Sequence, residues 1–252
     1  MAKMNRRSFV QASVATGFAA ALVVRGGNLG RAQEATPAAG SDALVRVVHA
    51  SPDAPAVDVY VDGTLALENL AFGSASDYVP LPAGEHQVQV AATGTEAAQA
   101  VIDAMVTLEA GKAYEVAAVG NVASIEPLVL EVDLSPLAEG KARVRAVHAS
   151  PEAPAVDVAV TGGPVLFTNA TFPAGTDYAE VDAATYDLEI RPTGTTDVAL
   201  AVPGVTVEAG KIYDIFAIGL VGDGTLAALP LVADAMTGGM MGTPAASMAR
   251  GV

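Results

Sequence analysis

Three histidines and 28 acidic residues are the material from which this 252-residue chain can build a reactive site. Two of the histidines recur in one setting. The stretch VRVVHASPDAPAVDV, starting at Val45, holds His49, Asp53 and Asp58; VRAVHASPEAPAVDV, starting at Val144, holds His148, Glu152 and Asp157. Only Val47/Ala146 and Asp53/Glu152 differ, so one unit has been copied. An imidazole beside carboxylates suits Zn²⁺ or Mn²⁺, and carboxylates alone suit Ca²⁺. The motif therefore leaves a divalent metal open, although nothing in it demands a cofactor. The competing reading is architectural: His49 bonds to the turn that follows it, and Asp53 stabilises that turn. Strand parity favours architecture, because His49 shares a face with Val45 and Val47 whereas Asp58 lies opposite Val57 and Val59. His49, Asp53, Asp58, His148, Glu152 and Asp157 are kept as candidate binding positions, and no residue is singled out as catalytic. G-x-S-x-G, P-loop, H-E-x-x-H and dinucleotide signatures are missing. With no cysteine in the chain, disulfides, thiolate metal sites and cysteine nucleophiles are excluded.

The elements that must hold these residues read as short strands. Ser51-Pro52-Asp53-Ala54-Pro55 is a turn, with Pro52 at its second position and Pro55 forcing an extended exit. From Val57 the alternation of valine with Asp58, Tyr60 and Asp62 gives one dry and one wet face, and Asp62-Gly63 closes the strand. Further strands are expected near 65–70, 76–81, 85–91, 98–108, 112–119 and 127–132. Many short strands between frequent turns predict a β-sandwich, with helices at most minor. Leu108-Glu-Ala-Gly-Lys-Ala-Tyr114 resembles the tyrosine corner of immunoglobulin-like sandwiches, which gives Tyr114 and its copy Tyr213 a structural role.

The marks return in order at an offset of about 100 residues. Asp177-Tyr178 answers Asp77-Tyr78, and Thr193-Gly194-Thr195 answers Thr93-Gly94-Thr95. The expected organisation is all-β, two tandem immunoglobulin-like β-sandwich domains at 43–133 and 142–232, joined by a linker at 134–141. Some positions change: Tyr60 becomes Ala159, Asp62 becomes Thr161, and His86 is read as becoming Asp187. The run VRVVHASPDAPAVDVYVDG with the later LEAGKxY resembles the bacterial and archaeal surface family known as domain of unknown function 4397. That resemblance implies an extracytoplasmic immunoglobulin-like sandwich and no particular activity.

The two ends read differently. Asn5-Arg6-Arg7-Ser8-Phe9-Val10 resembles a twin-arginine export signal. A moderately apolar run follows from Val10 to Val24, and cleavage is expected after Ala32. Residues 1–32 are thus read as a signal peptide leaving no stable membrane span, 33–42 as a flexible spacer and 233–252 as a disordered tail. The chain carries a net charge of -15, and the first 32 residues hold five cations and no acid. Such an acidic body repels phosphate backbones, which excludes nucleic acid as a partner. The expected function is that of an exported, non-catalytic protein of the cell envelope or medium, acting by binding or adhesion to an extracellular protein or glycan. The alternative is a metal-binding protein or metal-dependent extracytoplasmic enzyme built on the repeated His and acids. A carbohydrate-binding module would lack tryptophan platforms, since the chain has none, and Tyr60, Tyr78 and Tyr178 are the substitutes in view.

Overall fold

The computed structural model describes residues 42–236; the expected Arg6-Arg7 signal, residues 33–41 of the expected spacer and residues 237–252 of the tail lie outside them. Asp42, read as spacer, instead opens a strand, and Ala233 and Asp234, read as tail, end one. The first repeat forms β1 (Asp42–His49), β2 (Val57–Val61), β3 (Thr64–Leu70), β4 (Ser74–Ala75), β5 (Val79–Pro82), β6 (Gly84–Ala92), β7 (Ile102–Leu108), β8 (Ala113–Val119) and β9 (Glu126–Val132). The second repeat forms β10 (Lys141–His148), β11 (Val156–Val160), β12 (Val165–Ala170), β13 (Ala174–Gly175), β14 (Ala179–Asp182), β15 (Ala184–Pro192), β16 (Leu200–Val207), β17 (Lys211–Ile218) and β18 (Ala227–Asp234). Two 3₁₀ turns, Ala97–Gln99 and Val122–Ser124, are the helical content among the described residues. None is long and apolar enough to cross a membrane.

Each repeat is a sandwich of two sheets, so the chain is all-β with two tandem immunoglobulin-like units. In the first, β3-β2-β6-β7 faces β4-β1-β8-β9, with β5 also on β1; in the second, β12-β11-β15-β16 faces β13-β10-β17-β18, with β14 also on β10. The alternation of valine in β2 and β6 buries Val57, Val59, Val88 and Val90 against Val45, Tyr114 and Val116 from the facing sheet. A fully buried side chain of this size contributes about 1.5–3 kcal/mol. One feature escapes a reading by alternation: β1 runs parallel to β8, and β10 parallel to β17.

β1 and β8 are covered on both faces, and apart from Arg46 and Glu115 their buried positions are almost all apolar. Their second face packs against the other repeat. Val48, Ala50, Ala117 and Val119 share one cluster with Val147, Ala149, Phe216 and Ile218. The sheets containing β1 and β10 therefore form the middle of a four-layer stack, and the sheets containing β2 and β11 form its outer layers. Between β4 and β5 the edge is interrupted and repaired by a hydroxyl. Val47 N–H donates to Ser76 Oγ at 3.0 Å, and Ser76 N–H returns a bond to Val47 O at 2.9 Å. Thr176 does the same for Ala146 in the second copy. This interruption carries Tyr78 and Tyr178 towards the middle of the stack.

Candidate functional site

The repeated motif is a strand end locked to its turn. His49 ends β1 and is fully buried, as is His148 at the end of β10. The His49 Nε2–H donates to Pro55 O at 3.0 Å, and that of His148 donates to Pro154 O at the same distance. A carbonyl only accepts, so Nε2 carries the proton in both rings. Phe72 and Phe172 meet the rings edge-on at 6.1 Å. Burial holds both imidazoles below the usual histidine pKa, against the raising effect of the proline carbonyls.

Asp58 and Asp157 perform a different task. Asp58 Oδ1 accepts from Asn69 N–H at 2.8 Å and Thr93 Oγ1–H at 3.0 Å, while Oδ2 accepts from Gly94 N–H at 2.9 Å. Asp157 repeats the set with Asn169, Thr193 and Gly194. The donors at Asn69 and Gly94 hold Asp58 below the usual carboxylate range. Asn69 and Asn169 sit at φ of 58° and 54°, a left-handed backbone that asparagine tolerates. One carboxylate thus ties the end of β3 to the turn after β6. Asp58 projects from the outward side of its sheet, as parity requires, but these two loops cover it and it is buried.

Asp53 and Glu152 lie elsewhere, on exposed turns. Asp53 Oδ1 accepts from Val122 N–H at 2.8 Å in the β8–β9 loop. Glu152 is one methylene longer and receives Asn121 Nδ2–H at 3.4 Å from the other repeat. The three candidates of each copy therefore serve three separate loop contacts, and among the described residues no three His, Cys, Asp or Glu side chains converge as a metal ion would need. The tyrosine corners complete the loop scaffold: Glu109 N–H donates to Tyr114 Oη at 3.2 Å and Glu208 N–H to Tyr213 Oη at 2.9 Å.

The densest charged cluster is built on the arginine of each motif copy, Arg46 and Arg145, and not on its histidine or acids. On the buried middle faces, Arg46 pairs with Glu115 and Arg145 Nε donates to Asp214 Oδ1 at 2.8 Å. Arg46 also donates to Val232 O at 3.0 Å and Arg145 to Glu131 O at 3.0 Å, so each arginine crosses to the other repeat. Tyr78 and Tyr178 lie under the two guanidinium groups at 4.5 and 4.4 Å. Burial, then Asp214, pushes the Glu115 carboxyl up to about 7, against the pull of Arg46 and Arg145. The signal available in the sequence was an arginine in the same place of two strands, flanked on both sides by valine or alanine.

Two of the three tyrosines in view for sugar stacking are thus consumed inside the stack. Tyr60 remains half-exposed, its hydroxyl donating to Thr95 O at 2.8 Å. The register also corrects one repeat equivalence. Val88 and Leu188 pair with Val61 and Val160, which places Tyr186, not Asp187, at the position of His86. The two side chains even share a partner: His86 Nε2 bonds Pro82 O at 2.8 Å and Tyr186 Oη–H bonds Asp182 O at 2.8 Å. The notional His-to-Asp change came from sliding the alignment by one residue.

Residues 43–159 and 147–239 match the family described as domain of unknown function (DUF4397). No curated protein matches the chain. Among solved structures, the Bacillus anthracis TIE protein is similar at 7% identity and a TM-score of 0.24, over 71% of this chain and 34% of that one. This chain thus spans about a third of the length of that protein. A streptococcal virulence factor described for alpha-glucan binding is similar at 13% identity and 0.24, over 71% and 93%. The module CBMbc of family CBM26 from Eubacterium rectale, in complex with maltoheptaose, is similar at 10% identity and 0.24, over 74% and 95%. At such TM-scores these likenesses carry no argument about the present chain.

Proposed function

The chain belongs to the domain of unknown function (DUF4397) family, and from that premise we propose that it is an exported, non-catalytic binding or adhesion protein whose two sandwiches act as one body. The observation that carries this reading is a division of labour between the copies. Where they agree (His49/His148, Asp58/Asp157, Tyr114/Tyr213), the side chains hold backbone. Three of the differences, Tyr60/Ala159, Gln87/Asp187 and Gln89/Glu189, fall on the outer sheets. Duplication has kept the frame and changed the display. The ligand is an extracellular protein or glycan, no cofactor is required, and the acidic body takes no nucleic acid.

Export follows the twin-arginine route under this reading, with the product in the envelope or the medium and no span retained after cleavage. Replacing both Arg6→Lys and Arg7→Lys is expected to leave the chain in the cytoplasm when fractions are blotted; normal export of that variant refutes the route. The binding role is tested by passing the exported protein over immobilised cell-surface glycans and envelope proteins, with elemental analysis of the same sample. Saturable capture without stoichiometric metal is the expected result. Stoichiometric metal lost in a His49→Ala/His148→Ala variant that still folds turns the reading to the metal-dependent alternative.

A further inference from the structure

We infer that the outward face of the β3-β2-β6-β7 sheet is a platform for a neutral oligosaccharide, an inference that rests on the binding reading and gives it a ligand class. The strand register sets four side chains in one row. Leu65 on β3 stands opposite Tyr60 on β2, Tyr60 opposite Gln89 on β6, and Gln89 opposite Asp103 on β7. At about 4.8 Å between strands the row runs about 14 Å, long enough for a short run of sugar rings. Gln87 and Met105, opposite each other, form the next row.

The polar groups of this face are fixed by one another. Gln87 Nε2–H donates to Asp103 Oδ1 at 2.8 Å and Gln89 Nε2–H to Asp103 Oδ2 at 3.1 Å. The Tyr60 ring is pinned through its hydroxyl to Thr95 O. Groups already held lose little freedom on binding. Beside them stand apolar surfaces: Met105 is 62% exposed and Leu65 47% exposed. A sugar ring offers C–H edges ringed by hydroxyls, each both donor and acceptor. A half-exposed aromatic ring flanked by amides and a carboxylate answers both aspects.

Charge and extent narrow the class. None of the six residues is a cation, and the chain carries -15 overall, so sulfated, phosphorylated or uronic-acid glycans are repelled. A protein partner would need a broader apolar centre than three separated side chains. The second repeat lacks the platform. Ala159 replaces Tyr60, Ala201 replaces Asp103, and Glu189, in the place of Gln89, is ion-paired with Arg191. One site per chain results.

Affinity electrophoresis of the full chain through gels holding amylopectin, barley β-glucan, xyloglucan or galactomannan tests this, with alginate as the anionic probe. At least one neutral polymer is expected to retard the protein, and alginate to leave it unretarded. Tyr60→Ala and Gln89→Ala are expected to weaken retardation about tenfold, the equivalent of about 1.4 kcal/mol, while Tyr60→Phe, which keeps the ring but loses its bond to Thr95 O, weakens it less than Tyr60→Ala. Thermal melts identify any variant that has merely unfolded; if Tyr60→Ala does so, Gln87→Ala and Gln89→Ala decide. Equal retardation of wild type and folded variants moves the site elsewhere and overturns the platform, leaving the binding reading intact. Failure of every neutral polymer likewise overturns it, and capture by an envelope protein then keeps the binding reading alone.

Discussion

A histidine fully buried against a phenylalanine, with its one N–H given to a carbonyl, is a poor ligand and a good rivet. Removing it uncaps Pro55 O and leaves a cavity, since His49 is fully buried. His49→Ala should cost about 3 kcal/mol, which at about 2–4 °C per kcal/mol for a body of this size lowers the melting midpoint by about 6–12 °C. A change within a degree in a calorimetric scan would refute the role. The same burial has a pH signature. Both His49 and His148 are held below their unfolded pKa of 6.5, so above that value they cost nothing. As pH falls through 6.5 the unfolded chain takes protons that the folded chain refuses, and stability is lost. Each histidine contributes at most about 1.4 kcal/mol per pH unit to the slope. A His49→Gln/His148→Gln variant should therefore lose less stability than wild type in urea titrations between pH 7 and pH 5. His86 works the other way, because its bond to Asp62 raises it; its presence in both proteins cancels from that comparison.

At the scale of elements, the β8–β9 loop shows how a turn is built to receive the repeated acid. Gly120 stands at φ +89°, and a Cβ there would lie 2.7 Å from Ser124 O. Backbone conformation and space both forbid a side chain. Gly120→Ala should displace Val122, release Asp53 and cost about 2 kcal/mol or more; hydrogen exchange at Val122 N–H, now held by Asp53 Oδ1, is the readout, and unchanged protection would contradict the account. Much of this level was legible in the sequence. Alternating valines announced β2, the Pro-Asp-Ala-Pro turn announced its entry, and Leu-Glu-Ala-Gly-Lys-x-Tyr announced the corner. Asp58 was legible by parity alone: its face was right, but the loops that cover it arrive from Asn69 and Gly94, beyond the reach of a local period. The role of Arg46 was illegible for a stronger reason. Alternation says that a residue leaves its own core, not what it meets, and Arg46 meets the carbonyl of Val232, 186 residues away.

At the scale of the molecule, the two repeats are held by apolar clusters surrounding a neutral set of two arginines and two acids. Such a set is sensitive to the loss of any member. Glu115, raised to about 7 by burial and Asp214, adds stability that is full below its unfolded pKa near 4.5 and lost as pH rises through 7. Glu115→Gln should flatten this decline, of about 3 kcal/mol at the limit, in denaturation midpoints taken between pH 5 and pH 8; a decline as steep as that of wild type would exclude Glu115 as its source. Arg145 is the sharper probe of the join, since it holds Asp214 in its own repeat and Glu131 O across the boundary. Arg145→Ala leaves a buried carboxylate uncompensated, a loss of about 3–5 kcal/mol. That cost falls on the contact between repeats as much as on either core. Each sandwich has its own apolar interior, so weakening the join need not unfold both together. Wild type should melt in one calorimetric transition and Arg145→Ala in two, the earlier belonging to the second repeat, which keeps the stranded Asp214. A single transition in both proteins, merely shifted, would mean that the apolar clusters alone couple the repeats and that the charged set only fills the space between them.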